Sequence, residues 1–350
     1  MDRLLNGKKG GIGGLMGSWK VVVTDFDYAD VHPEEEVLDR LGITLIKAQC
    51  RSEADVIEIC KDADGVLTQY APFTREVIEQ LDKCKVISRY GIGVDTVDLA
   101  AATEKGIIVS NVTDYCIDEV SDHAMAFLLA CARKTVVYNQ AVKQGVWDYK
   151  VGMPMFRLRG RALGLVGLGR IPQQVARKAQ AFGMRVIAYD PYLPEHVARD
   201  LNVELVDLNT LCEQADFISI HTPLTEATRG FIGPEQFRRM KPEAVIINTA
   251  RGPIINEQAM INALESGAIA GAGLDVLEQE PIPADHPFMK MDQVILNPHA
   301  AWHSNEAQEE LKRKVAENVV DVLSGYWPRY LVNREVREKV KLKEKSPTSE

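Results

Sequence analysis

Residues 163–192 read LGLVGLGRIPQQVARKAQAFGMRVIAYDPY, and this stretch decides the fold. The apolar run Leu163 to Val166 leads into Gly167-Leu168-Gly169, an amphipathic stretch follows, and a second apolar run closes on Asp190. The pattern predicts strand, glycine turn, helix and strand, a unit whose helix N-terminus aims unsatisfied N–H groups at a phosphate. Gly167 and Gly169 carry no side chains, so the backbone there can approach a pyrophosphate closely. Asp190 stands 21 residues after Gly169 at the end of the second strand. A carboxylate there accepts from the ribose hydroxyls of NAD and repels the 2'-phosphate of NADP, so NAD is the expected cofactor. Pro172 occupies the third glycine position of such a turn. Proline suits the first turn of a helix, where its missing N–H has no helical partner anyway, but it puts close helix-to-strand packing there in question.

The 350 residues suffice for two domains, each with its own core. Apolar residues at 46% and charged residues at 26% are the balance of a globular protein. A formal charge of -9 disfavours nucleic acid and anionic membrane surfaces, so an anionic substrate must be attracted by local charges. The six cysteines, at 50, 60, 84, 116, 131 and 212, show neither a CxxC pair nor Cys/His metal spacing and read as reduced core residues. His32, His123, His196 and His286 also lack ligand spacing, so no metal is expected. With no run of 18 apolar residues and no hydrophobic segment at the N-terminus, the expected location is the cytoplasm.

Strand-like runs alternate with helical patterns on both sides of the glycine turn. The first series is Lys20 to Val23, Ile43 to Ile46, Gly65 to Thr68, Val86 to Ser88 and Ile107 to Val109. The second is Ala162 to Val166, Val186 to Tyr189, Phe217 to Ile220, Val245 to Asn248, Ala270 to Leu274 and Val294 to Leu296. The expected class is α/β with two doubly wound parallel sheets: a smaller, flavodoxin-like substrate domain and a Rossmann-type NAD-binding domain. The substrate domain is discontinuous, 19–117 and 305–333, because the helical pattern Asn305 to Leu323 crosses back to it; the NAD-binding domain is 118–304. Residues 1–18, with six glycines between Gly7 and Gly17, read as a disordered extension. Residues 334–350, with six basic and four acidic side chains, read as a solvated, disordered tail. The stretch 118–135, DEVSDHAMAFLLACARKT, predicts an apolar helix buried between domains or subunits.

Three further motifs follow the turn: NTARGPIIN (248–256), GAGLDVLEQEP (271–281) and NPHAAWHS (297–304). Together they resemble the D-isomer-specific 2-hydroxyacid dehydrogenases, which include D-3-phosphoglycerate dehydrogenase, over about residues 20–333. The run PHAAWHS, with Trp302, is similar to the branch containing the C-terminal-binding proteins, corepressors that keep the dehydrogenase fold. The resemblance implies that Arg251, Glu280 and His299 are catalytic, and the chemistry gives each a reason. Oxidising a 2-hydroxy acid removes a hydride from C2 and a proton from its hydroxyl, so a base titrating near neutrality must reach that oxygen, as His299 could. A carboxylate against the far ring nitrogen fixes the tautomer and favours the protonated imidazole; Glu280 fits, with Glu278 two residues away. A guanidinium such as Arg251 binds the substrate carboxylate and polarises the C2 carbonyl. Formate dehydrogenases of the same fold carry Gln where Glu280 stands, so the acid argues against that activity.

The segment SRYGIGVD (88–95) matches the family's substrate loop, whose glycine-turn amides bind a carboxylate; Ile92 and Gly93 are the expected donors. Arg89 and the loop Gln69, Tyr70 to Phe73 are expected to line the same pocket, with Tyr90 and Trp302 making it tolerant of apolar groups. The resemblance further implies cofactor contacts from Arg170 and Ile171 at the pyrophosphate, Thr222 and Pro223 beside the adenosine and Thr249 and Ala250 near the nicotinamide. It also places Asp275 on the carboxamide and Val120 at the cofactor from the inter-domain helix, while His221 and His303 are structural or rim residues. The expected protein is an NAD-dependent D-2-hydroxyacid dehydrogenase with substrate in an inter-domain cleft, and the alternative an NAD(H)-sensing protein like the corepressors. No direct nucleic-acid or membrane partner is expected. A homodimer is, because Phe127, Leu128 and Leu129 exceed what one chain can easily cover and the resemblance puts this helix on a two-fold axis.

Overall fold

The computed structural model describes residues 19–345, and the expected disordered extension 1–18 lies outside them. Contacts divide the chain into two compact units, one running up to Thr113 and resuming at Leu311, the other Asp114–Glu310. In the first, β1 (Val21–Val23), β2 (Leu45–Lys47), β3 (Gly65–Thr68), β4 (Val86–Arg89) and β5 (Ile108–Ser110) form a parallel sheet in the order β2-β1-β3-β4-β5. These strands are short and almost uniformly buried because helices cover both faces, the usual condition of a parallel sheet. The strand order reverses at β1/β3, so a crevice opens beyond the carboxyl ends of those two strands.

The second unit has seven parallel strands: β6 (Ala162–Val166), β7 (Arg185–Tyr189), β8 (Glu204–Leu205), β9 (Phe217–Ile220), β10 (Val245–Asn248), β11 (Gly271–Leu274) and β12 (Val294–Leu296). Their order is β12-β11-β10-β9-β6-β7-β8, with the switch at β6/β9. Only β8 escaped the sequence reading, since two residues carry no measurable period. All six cysteines are buried and unpaired. Among the described residues no helix is long and apolar enough to cross a membrane.

Two expectations are corrected. The apolar helix spans Ile117–Arg133, and Lys134 then turns left-handed (φ 53°) into a second helix, Thr135–Lys143. Its apolar face is covered by its own unit, against the helix Arg170–Ala181 and against β10 and β11. Phe127 is 3% exposed and Leu128 1%, so these two side chains are covered within their own unit, while Leu129 stays partly exposed. Gly273 makes the approach possible, because a Cβ there would sit 2.8 Å from Phe127. Exposed apolar side chains cluster just downstream, in 142–156.

The second correction is the charged tail, which follows an ordered course through residue 345 although most of its side chains are exposed; its last residues, 346–350, lie outside the described residues. Val336, in a 3₁₀ turn Arg334–Glu338, is fully buried, and Tyr326 bridges Lys343. Charge composition hid these anchors, since one buried valine docks a segment that is otherwise solvated. Asn333 joins this segment to the first sheet: its Nδ2 donates to Ile107 O (2.9 Å) and Thr103 Oγ1 (3.0 Å), while its Oδ1 accepts from Val109 N (2.8 Å). Asn333→Ala leaves Ile107 O and Val109 N without the amide, while Thr103 Oγ1 keeps its bond to Leu99 O (2.7 Å), and is expected to cost about 1–3 kcal/mol per orphaned group, read as a lower denaturant midpoint. A midpoint equal to the parent's would show that water replaces the amide.

Candidate active site

At the carboxyl end of β6, Gly167 adopts φ +93°, and a Cβ there would come within 3.1 Å of the His221 carbonyl at the end of β9. The turn therefore lies against the neighbouring strand at the switch point and needs glycine. Gly169 caps the helix Arg170–Ala181, and a Cβ built on it meets nothing within 4 Å. Pro172 sits in the first turn and is buried, so the ring packs where the third glycine would have been. Asp190 is engaged within the protein itself. Its Oδ2 accepts from Leu168 N (2.9 Å) and its Oδ1 from Tyr192 N (3.0 Å), tying the glycine turn to the end of β7.

These residues fit a dinucleotide. The Gly169 to Ile171 segment begins a helix, the space over Gly169 is open, and Thr249 Oγ1, at the end of β10, is a buried hydroxyl with no partner among the described residues. Thr222 and Pro223 follow β9, Ala250 follows Thr249, and Val120 is buried in the helix Ile117–Arg133. His221 bonds Ser219 Oγ (2.8 Å), and burial pushes its imidazole down to about 3, which keeps it neutral.

The expected acid–base pair, His299 and Glu280, lies in the same unit. His299 Nδ1 is 2.8 Å from Glu280 Oε2, and Glu280 Oε1 accepts from Leu277 N at 3.0 Å. Partial burial raises the Glu280 carboxyl, but the His299 bond and charge, the Leu277 amide and the Arg251 guanidinium outweigh it and hold it below the usual carboxylate range. Glu278 is engaged elsewhere: its Oε1 accepts from Glu257 N and its own amide donates to Glu257 Oε2, both at 3.2 Å. Arg251 begins a 3₁₀ turn just past β10, with its carbonyl fixed by Asn248 Nδ2 (2.9 Å). Trp302 follows three residues after His299 and tilts against Tyr115 with centroids 6.3 Å apart.

His299 itself has φ +54°, a left-handed backbone that costs a non-glycine residue roughly 1–2 kcal/mol. Asp275, at the end of β11 and 2% exposed, holds it there. The Asp275 carbonyl accepts from His299 N (2.8 Å), its Oδ1 from Ala300 N (2.8 Å) and its Oδ2 from Ala301 N (2.9 Å). The sequence reading had assigned this carboxylate only to the cofactor.

In the first unit the carboxyl ends of β1 and β3 meet at Asp25, which the sequence reading missed. This buried carboxylate accepts from Thr24 Oγ1 (2.8 Å), Thr68 Oγ1 (3.2 Å) and the amides of Gln69 (3.1 Å), Tyr70 (2.5 Å) and Ala71 (3.2 Å). Its position after a strand at a switch point was the available signal. Gln69 is buried and bonds Asp27 through both ends of its amide (2.7 and 3.0 Å). Tyr70 is half exposed, whereas Phe73 and Tyr90 are buried. Tyr90 donates to Glu34 Oε1 at 2.8 Å, so these two rings are core and lend no apolar character to a pocket. After β4 and Arg89 the chain turns at Gly91 (φ +113°), with Asn111 Nδ2 holding the Ile92 carbonyl at 2.6 Å. The half-buried Ile92 and Gly93 amides donate to no other group among the described residues. Nor, among those residues, do three or more His, Cys, Asp or Glu side chains form a group able to hold a metal ion.

A family profile described as D-isomer specific 2-hydroxyacid dehydrogenase, NAD binding domain, matches residues 125–301. The chain is similar to a D-3-phosphoglycerate dehydrogenase of Methanocaldococcus jannaschii, 44% identical over 316 residues; the match covers 90% of this chain and 59% of that protein. It is 42% identical over 289 residues to a glyoxylate reductase of Korarchaeum cryptofilum, covering 81% of this chain and 87% of that one. Among solved structures, D-lactate dehydrogenase from Aquifex aeolicus, complexed with NAD and lactic acid, superposes with a TM-score of 0.79 at 26% identity, covering 87% of this chain and 96% of its own.

Proposed function

Because the chain belongs to the D-isomer-specific 2-hydroxyacid dehydrogenase family, we propose that it interconverts a 2-keto acid and the corresponding D-2-hydroxy acid with NAD(H). The observation that supports this most is the 2.8 Å contact between His299 Nδ1 and Glu280, which leaves Nε2 as the nitrogen that serves substrate. In reduction, protonated His299 donates to the substrate oxygen as it becomes an alkoxide; in oxidation the neutral ring takes that proton back. Bound NADH supplies the hydride that C2 receives. Arg251 binds the substrate carboxylate and opposes the charge growing on the C2 oxygen. Glu280, ionised at neutral pH, stabilises the imidazolium at the far nitrogen. The Ile92 and Gly93 amides are the proposed carboxylate donors of the first unit, supported by their having no other acceptor among the described residues. Asp190 selects NAD by accepting from the ribose, and its bond to Leu168 N holds the carboxylate beside the turn.

The substrate side chain is set by few groups. With Phe73 and Tyr90 in the core, Tyr70, Arg89 and Trp302 remain, and a short or anionic side chain suits them better than a large apolar one. NADH oxidation with glyoxylate, hydroxypyruvate, pyruvate, phenylpyruvate, 4-methylthio-2-oxobutyrate and 3-phosphohydroxypyruvate tests the reading. Turnover is expected on the first two or the last, and His299→Ala should lower kcat by roughly 10² to 10⁴ while NADH binding survives. No turnover on any of the six would overturn the reading.

The same chain is inferred to pair with a second copy through 142–156. Trp147 is 89% exposed, Tyr149 71% and Met153 63%, with Val142, Val146, Val151 and Phe156 also open. Light scattering should return twice the chain mass, and Trp147→Glu should shift it toward the monomer. A wild-type monomer at micromolar concentration would contradict the inference.

A further inference from the structure

We propose that His123 is a positioning residue that holds the loop bearing His299 in its left-handed conformation, acting through Asn297 and Asp275. It rests on the reading of His299 as the proton donor, and it concerns a side chain that neither touches His299 nor belongs to any of its motifs. His123 lies on the helix Ile117–Arg133, one turn before Phe127. Phe127 is seated over Gly273 of β11, and the two rings meet edge to face with centroids 4.8 Å apart at 80°. That contact fixes the imidazole over the carboxyl ends of β11 and β12. There its Nε2 is 3.2 Å from Asn297 Nδ2 and 3.8 Å from Asp275 Oδ1.

Each partner anchors one end of the strained turn. Asn297 follows β12 and donates its own amide to Leu274 O (2.9 Å); Asp275 follows β11 and accepts from His299, Ala300 and Ala301. Between these anchors His299 carries φ +54°, a conformation that persists only where its surroundings over-determine it. With Asn297 Nδ2 as the donor, His123 Nε2 is the acceptor. The 3.8 Å to Asp275 is beyond hydrogen-bond reach, so His123 meets that carboxylate by packing alone and acts on Asn297 by a bond. An apolar ring at 123 would keep the packing and remove the acceptor, loosening the amino-terminal anchor of the turn. His299 would then lose the fixed approach of Nδ1 to Glu280.

The substitution His123→Phe isolates the acceptor, because a phenyl ring retains the contact with Phe127; His123→Gln restores an acceptor. In keto-acid reduction, kcat should fall about 10- to 100-fold in His123→Phe, the scale of an ångström-size misplacement, with KM for NADH unchanged. His123→Gln should recover most of the loss. The double variant His123→Phe/Asn297→Ala should be no slower than Asn297→Ala alone, since both remove one interaction. A readout independent of turnover is the imidazole ¹⁵N signal of His299 in the ligand-free protein. It should move in His123→Phe and return in His123→Gln. A wild-type protein without turnover whose His299 signals still respond in this way overturns the dehydrogenase reading and leaves the positioning role standing. Unchanged kcat together with unmoved His299 signals in His123→Phe overturns the positioning role.

Discussion

A single buried carboxylate, Asp275, sets the geometry on which the candidate site depends. Its two oxygens receive the amides of Ala300 and Ala301, and its carbonyl receives that of His299. Amide bonds to a charged acceptor are among the stronger hydrogen bonds, each contributing about 1.5–3 kcal/mol net. Two of them exceed the roughly 1–2 kcal/mol cost of the left-handed His299 backbone. The strain is thus offset locally, and the imidazole is delivered to Glu280 rather than back along β12. Leaving Asp275 unpaired would cost more than relaxing the turn would gain, so the bent conformation is the stable one.

The same device recurs in the other unit. Asp25 follows β1 as Asp275 follows β11, and its carboxylate gathers three consecutive amides of the loop after β3. In both places a parallel sheet leaves amides unpaired beyond the carboxyl ends of its strands, and a strand-end aspartate collects them. Asp190 does this a third time for the glycine turn through Leu168. The negative net charge of the chain is therefore unlike its local electrostatics, where carboxylates are spent on backbone amides while Arg251 and the helix N-terminus after Gly169 supply positive character.

Much of the fold is legible in the sequence because parallel strands are continuous apolar runs with sharp ends. β3, β6, β9, β10 and β12 match their runs residue for residue. The glycine turn and the Arg251, Glu280 and His299 motifs are local patterns and could be read one at a time. What escaped depends on contacts far apart in sequence. Phe73 and Tyr90 look like pocket lining until Glu34, from another helix, is found on the Tyr90 hydroxyl. Phe127 and Leu128 look like interface until β10, β11 and the glycine-turn helix are found on them. Val336 anchors a segment whose charges argue for solvent. Asp25 and His123 carry no motif of their own, and each reaches the carboxyl ends of its strands only through the packing of its own unit.

The pH dependence of keto-acid reduction in wild type and in Glu280→Gln tests the central claim, that a carboxylate-supported imidazole is the proton donor. Glu280 is held below the usual carboxylate range, so it is ionised throughout a neutral assay and favours the charged ring. Reduction needs the protonated imidazole and falls away as pH rises through its loss. A neutral amide in place of Glu280 keeps a hydrogen-bonding group but removes the charge, so in Glu280→Gln the alkaline loss of kcat should set in at lower pH than in wild type. Superimposable profiles for the two proteins would contradict the account.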